Sequence, residues 1–393
     1  MESIDKTFKF LLYSRAFRSI GIIYMTLALP LYLSAMNINI INIGIIFAAV
    51  LFFMVITAIV YGEIGDRIGF RYELIIAEFL AFSAALIIFL STNIYIIIIA
   101  MIIGGIGGGA GGLRGAFSPG TNAIIASNYP DAKDRIKRYG QIIAIGSGMS
   151  IFGSLLLSMH SFISGFIGVL FAFRILFLVA ALFLLISFIC LLFVKEEKRP
   201  RKTTKLMKNT SLKYMSKIIV ANSLGGIGMG IAIPLLPLWL EIAYNANSLT
   251  IGIIFGISYI AISLGSYLSS RIGSNFNILN TASYSRIISG VALLLMGISP
   301  FLVLAAIFFI IRTFIAGFGS PARNTVNVKG IDVEDFGTAS SVQGIATRFS
   351  QLSSGLSGYL IDYSIPLPLE IGGVFQILSG FVYKYLLKDH KKL

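Results

Sequence analysis

One cysteine, Cys190, and two histidines, His160 and His390, are all that the 393 residues offer of the softer metal ligands. A disulfide within the chain is therefore excluded, and no metal site or cofactor is expected. Charge is also scarce: Asp, Glu, Lys and Arg make up 12% of the chain, with 17 acidic residues against 31 basic ones. A soluble domain carries about twice that charged fraction to cover its surface. No Gly-x-x-x-x-Gly-Lys-Ser/Thr loop occurs, so ATP is not the expected energy source. The two histidines fall outside the apolar interior in this reading and no nucleophile–base pair is evident, so an enzyme is not expected. Strand-type alternation is missing, which excludes a membrane barrel.

What remains is apolar. Hydrophobic residues fill 56% of the positions and the mean hydropathy is +0.89, so lipid must be the solvent for most of the surface. Helices then satisfy the backbone. Apolar runs long enough to span a bilayer are expected at 8–35, 40–61, 73–92, 94–117, 139–161, 166–194, 216–241, 249–270, 277–298, 300–320, 337–361 and 366–387. The expected fold is an all-α membrane protein of twelve transmembrane helices in two pseudo-symmetric six-helix bundles, residues 1–194 and 216–393, joined by a basic linker at 195–215. Glu2, Asp5, Lys6 and Lys9 lead into an apolar stretch too long for a signal-peptide core.

The net charge of +14 does not point to nucleic acid, because the basic residues sit in alternate short polar intervals. Arg67 and Arg71, then Lys133, Arg135, Lys137 and Arg138, then the run beginning at Lys195 fall on one side. The intervals 36–40, 92–94 and 242–248 hold no Lys or Arg. By the positive-inside rule both termini and the linker are cytoplasmic, in the cell membrane. Linker lysines and arginines suit anionic lipid headgroups or a plain solvated connector. An internal repeat crosses the linker. Arg67-Ile68-Gly69 returns as Arg271-Ile272-Gly273 and Pro30 as Pro234 at one common interval. Ser118-Pro119 returns as Ser320-Pro321, and Gly153 as Gly355, at nearly the same one.

The most specific segment is Gly62-Glu63-Ile64-Gly65-Asp66-Arg67-Ile68-Gly69-Phe70-Arg71. It resembles the signature loop of the major facilitator superfamily, Gly-x-x-x-Asp-Arg-x-Gly-Arg-Arg/Lys, with Phe70 departing from the usual basic residue. Arg15, Arg18, Gly21 and Pro30-Leu31-Tyr32 resemble the family's first helix, Pro130 with Arg135 its cytoplasmic loop after helix four, and Phe173-Arg174 with Phe177 the start of its sixth helix. The resemblance implies a secondary transporter working by alternating access, with a small-molecule substrate, protons as a candidate coupling ion, and a monomeric state. Gly62, Asp66, Arg67, Gly69 and Arg71 would form the conformational gate, the arginines pairing across domains. Ser270 replaces the acid in the second-half copy. The family's Arg-x-x-Gln-Gly element is also missing, since Met101 and Gly104 stand at its Arg and Gln positions.

Gly104, Gly108 and Gly112, four apart, would share one helix face for close packing or flexing. Charge inside a span is costly and therefore informative. Arg286, Arg312 and Arg348 lie within spans, and no Asp or Glu occurs between Ile242 and Ile331. Their partners must be carbonyls, polar side chains, water or an anionic ligand. Ser341, Gly344, Arg348, Gln351 and Gly355 share one helical face, which reads as a cavity lining. Asn222, on a span kinked by Pro234 and Pro237, is a further candidate. Arg15 is a weaker one, since Arg15 and Arg18 are close enough to the end of their span to snorkel to the cytoplasmic surface. Glu63 and Glu78 read as cytoplasmic ion-pairing groups. Export of amphipathic compounds and movement of a small organic anion are the two substrate readings, and a non-transporting sensor is the remote one.

Overall fold

The structure is a computed structural model and describes residues 2–107, 117–129, 132–196, 209–272, 276–331 and 336–388. Fifteen α-helices run through these residues, with no strand among them. They are α1 (Glu2–Ala35), α2 (Ile40–Ile68), α3 (Phe70–Leu90), α4 (Ile94–Gly104), α5 (Phe117–Asn128), α6 (Ala132–Ile167), α7 (Val169–Leu192), α8 (Asn209–Ala232), α9 (Leu236–Tyr244), α10 (Ser248–Ile272), α11 (Ile278–Gly297), α12 (Leu302–Lys329), α13 (Phe336–Ser350), α14 (Gly355–Tyr363) and α15 (Leu367–Leu387). Among the described residues nine helices are long and apolar enough to cross a membrane. Their outer faces carry large apolar side chains, such as Phe79, Phe166 and Val303, that only lipid would solvate.

Three expected spans are not continuous helices. The run from residue 94 stops at Gly104, because Gly105 takes a left-handed φ of 60° and donates its N–H to the Ile102 and Met101 carbonyls. Gly104 therefore ends a helix instead of continuing a small-residue face. Gly108 and Gly112 lie outside the described residues. The run from 216 breaks at 233–235, between α8 and α9, where Pro234 cannot donate to the ladder. The run from 337 tightens into a 3-10 turn at Gln351–Ser354, so the angular register joining Arg348 to Gly355 is lost.

Contacts divide the chain into two units. The first comprises Met1–Ile38, Ala49–Lys202 and Asn247–Gly256, the second Asn39–Ala48, Thr203–Ala246 and Ile257–Leu393. In the first, α1 packs on α6 and α7, and α3 on α4, α5 and α7. One end is closed by Phe8, Leu11, Leu74, Ile124, Ile125, Ile142, Leu191 and Val194. The start of α10 lies in this unit, where Leu249 accepts from Ser158 Oγ at 3.1 Å and donates to Ser161 Oγ at 2.8 Å. In the second, α11 packs on α12 and α15, and α8 on α13 and α15. Tyr214, Ile218, Val326, Tyr383 and Leu387 belong to its core. The start of α2 runs against α14 here, so closely that a Cβ on Gly44 would lie 2.9 Å from the Gly358 nitrogen.

Candidate functional site

The gate motif straddles the α2–α3 junction. Helix α2 ends at Ile68, and Gly69 turns the chain with a φ of 122° that a side chain would resist. Arg67 bonds Glu63 of its own helix at 2.5 Å, with both side chains largely in solvent. Arg71 donates its backbone N–H to Glu196 Oε2 at 2.8 Å and its Nη2 to the Leu192 carbonyl at 2.8 Å. Both described bonds of Arg71 stay inside the first unit, to the end of α7. That differs from the pairing across domains that the signature implied. Gly62 has open space where a Cβ would stand. The side chain of Asp66 lies outside the described residues.

One turn further along α3 the interior turns polar. Arg15 and Arg18 of α1 are 3% and 6% exposed, so they do not snorkel. Arg18 forms an ion pair with Glu78, which is fully buried. The pair explains why both residues tolerate the interior: each charge is neutralised by the other. Arg15 packs against Gly146 of α6, where any Cβ would collide with its guanidinium, and its Nε and Nη1 have no hydrogen-bond partner. Glu73, absent from the sequence candidates, is 1% exposed, and neither of its carboxylate oxygens has a partner. The clue in the sequence is its place five residues before Glu78, but the expected span of 73–92 puts Glu73 at its very edge. His160 is also inside: it is 4% exposed, stacks on Phe173 at 3.7 Å and contacts the Val169 carbonyl at 3.1 Å. An imidazole inside α6 was not anticipated.

In the second unit the structure brings two candidates together. Arg286 donates to Asn222 Oδ1 at 2.5 Å, to Ser379 Oγ at 2.6 Å and to the Ala221 carbonyl at 3.4 Å, and lies 4.5 Å over the Tyr383 ring. Neutral oxygens and a π face thus replace the carboxylates missing from this stretch. Arg312 reaches Met229 Sδ at 2.7 Å, while its buried Nε has no partner. Arg323, another residue missed in the sequence, donates to Ser285 Oγ at 3.1 Å and to the Ala316 carbonyl at 2.6 Å. Arg348 and Gln351 are half-buried, at the junction of α13 and the 3-10 turn. The side chain of Ser341 lies outside the described residues.

A cavity of about 520 Å³ opens between α1 and α6. Leu12, Ala16, Ile145, Gly148, Met149 and Phe152 give it apolar walls, and Lys9 and Tyr13 add an amine and a phenol. None of the sequence candidates lines it. Among the described residues no group of three His, Cys, Asp or Glu side chains is placed to hold a metal.

Stacked apolar helices with charge confined to a few interior points define a multi-pass membrane protein of the transporter type. The chain belongs to the Major Facilitator Superfamily, whose sequence pattern matches residues 11–386. Its fold is similar to that of a POT family transporter in complex with a thioalcohol-conjugated peptide (TM-score 0.79, 13% identity, covering 98% of this chain and 96% of that one). It is also similar to a bacterial homolog of the human lysosomal transporter Spinster in an inward-facing, occupied conformation (0.71, 15%, 97% and 96%). A third similar fold is the human organic anion transporter MFSD10 (0.68, 14%, 97% and 99%). A comparison with curated proteins gives no match.

Proposed function

We propose that this membrane transporter is a proton-coupled exporter of amphipathic compounds, working by alternating access with twelve spans in two six-helix halves, residues 1–194 and 216–393. The observation that carries the substrate class is the cavity between α1 and α6. Its volume suits a drug-sized molecule, its walls are apolar, and its polar groups are few. A site of that kind binds by burying hydrocarbon and uses Lys9 and Tyr13 for orientation. The basic residues of the cytoplasmic intervals support placing both termini inside the cell, in the plasma membrane, with a monomer as the working unit.

A second reading, transport of a small organic anion, is favoured by Arg312, whose buried Nε is unpartnered. The fold similarity to an organic anion transporter is compatible with it. Proteoliposomes under an imposed pH gradient test both readings, with ethidium as the amphipathic cation and carboxyfluorescein as the anion. Gradient-driven ethidium flux supports the first reading and carboxyfluorescein flux the second. Movement of neither dye counts against both. An Arg348→Ala variant in the same assay tests whether that arginine belongs to the substrate path; unchanged flux removes it.

A further inference from the structure

The cavity between α1 and α6 is polar at one end only. Its lining residues run from Lys9 to Ala16 on α1 and from Ile145 to Phe152 on α6, each set at the spacing i, i+3, i+4, i+7 of a single helix face. The two helices lie side by side in the same direction: Arg15 meets Gly146, and two turns further along both of them Ile23 meets Gly153. Lys9 therefore stands at one end of the cavity and Phe152 at the other, roughly 16 Å apart at the rise of an α-helix. Lys9 is the one charged side chain of the lining, and Tyr13, a turn further on, is the one phenol. Both are exposed. A second cation stands behind the wall, since Arg15 is buried against Gly146 with Nε and Nη1 unbonded. No carboxylate lines the cavity among the described residues. Glu78 is taken by Arg18, Glu63 by Arg67 and Glu196 by the start of α3. The field is thus positive at the Lys9 end, and the far end is hydrocarbon.

We propose that the ligand of this cavity is an amphipathic organic anion, its charged group held by the Lys9 ammonium and the Tyr13 hydroxyl and its hydrocarbon laid along α1 and α6 towards Phe152. This rests on the transporter reading above and narrows its substrate class to one sign of charge. An ammonium and a phenol both donate hydrogen bonds, and those to an anion are the strong ones. The Lys9 stem lies along the apolar wall while its head reaches the anion. A cation such as ethidium keeps the apolar contacts, gains no head-group bond and meets the charge of Lys9, so it enters as the weaker ligand. Lys9 sets the choice of charge, Tyr13 fixes the depth of the head, and the walls supply affinity without regard to sign.

Equilibrium binding to the full chain in nanodiscs of neutral phosphatidylcholine tests this, with anilinonaphthalene sulfonate as the anionic dye, ethidium as the cationic one and empty nanodiscs as the blank. The sulfonate should bind the wild type more tightly than ethidium does, and its affinity should fall as salt is raised. Lys9→Gln should weaken the sulfonate about tenfold, remove most of the salt dependence and leave ethidium no weaker. Lys9→Arg should preserve the order of the two dyes, and Tyr13→Phe should weaken the sulfonate alone. Gly148→Leu should weaken both, because it fills the apolar part that they share. Tighter binding of ethidium than of the sulfonate by the wild type overturns the proposal whatever the variants do. A sulfonate affinity left unchanged by Lys9→Gln overturns it equally, as does one left unchanged by Gly148→Leu, which would put the dye elsewhere. Binding is read here without a gradient. A protein that binds as described but moves neither dye in proteoliposomes therefore loses the transporter reading alone, and one that moves ethidium yet prefers it to the sulfonate loses this proposal alone.

Discussion

The carboxylate of Glu196 accepts the main-chain N–H of Arg71 at 2.8 Å, across 125 residues of chain. Helix α3 begins at Phe70, and Gly69 before it has no side chain to cap the free N–H groups. Glu196 supplies that cap from the end of α7, while Arg71 returns a bond to the Leu192 carbonyl at the α7 terminus. An anion at a helix start and a cation at a helix end both match the helix dipoles. The gate motif is thus tied to the end of α7 and the start of the basic linker. Loss of one such cap costs about 1 kcal/mol. Glu196→Ala should therefore raise amide exchange in the first turn of α3 while leaving α11 unchanged, and Glu196→Gln should keep part of the protection. Equal exchange in all three proteins would show that the cap carries no energy.

The Arg18–Glu78 pair makes a larger claim. Both side chains are almost wholly buried, at 7% and 0% exposure. Removing one partner leaves a charge with no water and no counter-charge, at a cost of about 3–5 kcal/mol. Arg18→Met or Glu78→Met alone should lower the melting temperature strongly in detergent. The double substitution should recover most of that loss, since a matched apolar pair avoids the desolvation term. A double variant as unstable as the two losses summed would mean that the residues do not interact.

These two pairs mark the boundary of what the residues disclosed on their own. The succession of apolar runs and the interruption at Pro234 were legible, because each follows from hydropathy or a missing N–H within a few residues. The partners were not. Helical period gives a side chain its depth and face, but nothing in it says which helix lies opposite. Hence Arg18 was read as surface-seeking although α3 brings Glu78 to it, and Arg286 and Asn222 were read as separate ligand groups although they bond each other. Glu73 was missed for a related reason: its burial comes from α5, more than forty residues away in the chain. The end of α4 at Gly105 escaped notice because a glycine run reads equally as a packing face or a stop.

Arg286 and Arg312 should separate on substitution. Arg286→Ala strips Asn222 Oδ1 and Ser379 Oγ of a charged donor and uncovers the Tyr383 face, a loss of about 1.5–3 kcal/mol per charged hydrogen bond. The expected result is a lower melting temperature with the ratio of ethidium to carboxyfluorescein flux unchanged. Arg312→Ala gives up one bond to sulfur and should leave the melting temperature nearly unmoved. A fall in carboxyfluorescein flux in that variant alone would select the anion reading and assign Arg312 to it. A changed dye ratio in Arg286→Ala would contradict a structural role for that residue.

The cavity between α1 and α6 admits a cleaner substitution than truncation of its walls. Gly148 lines it, and a Cβ built there meets no atom within 4 Å. Gly148→Leu therefore fills space that substrate would occupy without disturbing any packed neighbour. In the interior of α6 the change even favours the helix, by roughly 0.5–1 kcal/mol. The melting temperature should hold or rise while the ethidium KM increases about tenfold, which corresponds to about 1.4 kcal/mol of lost binding. Gly140→Leu is the matched control, because Gly140 lies on the same helix, is equally open and does not line the cavity. Its helix gain should be similar and its flux unaltered. Equal flux in the two variants would move the substrate site away from α1 and α6, since the propensity effect is common to both and only the occupied volume differs.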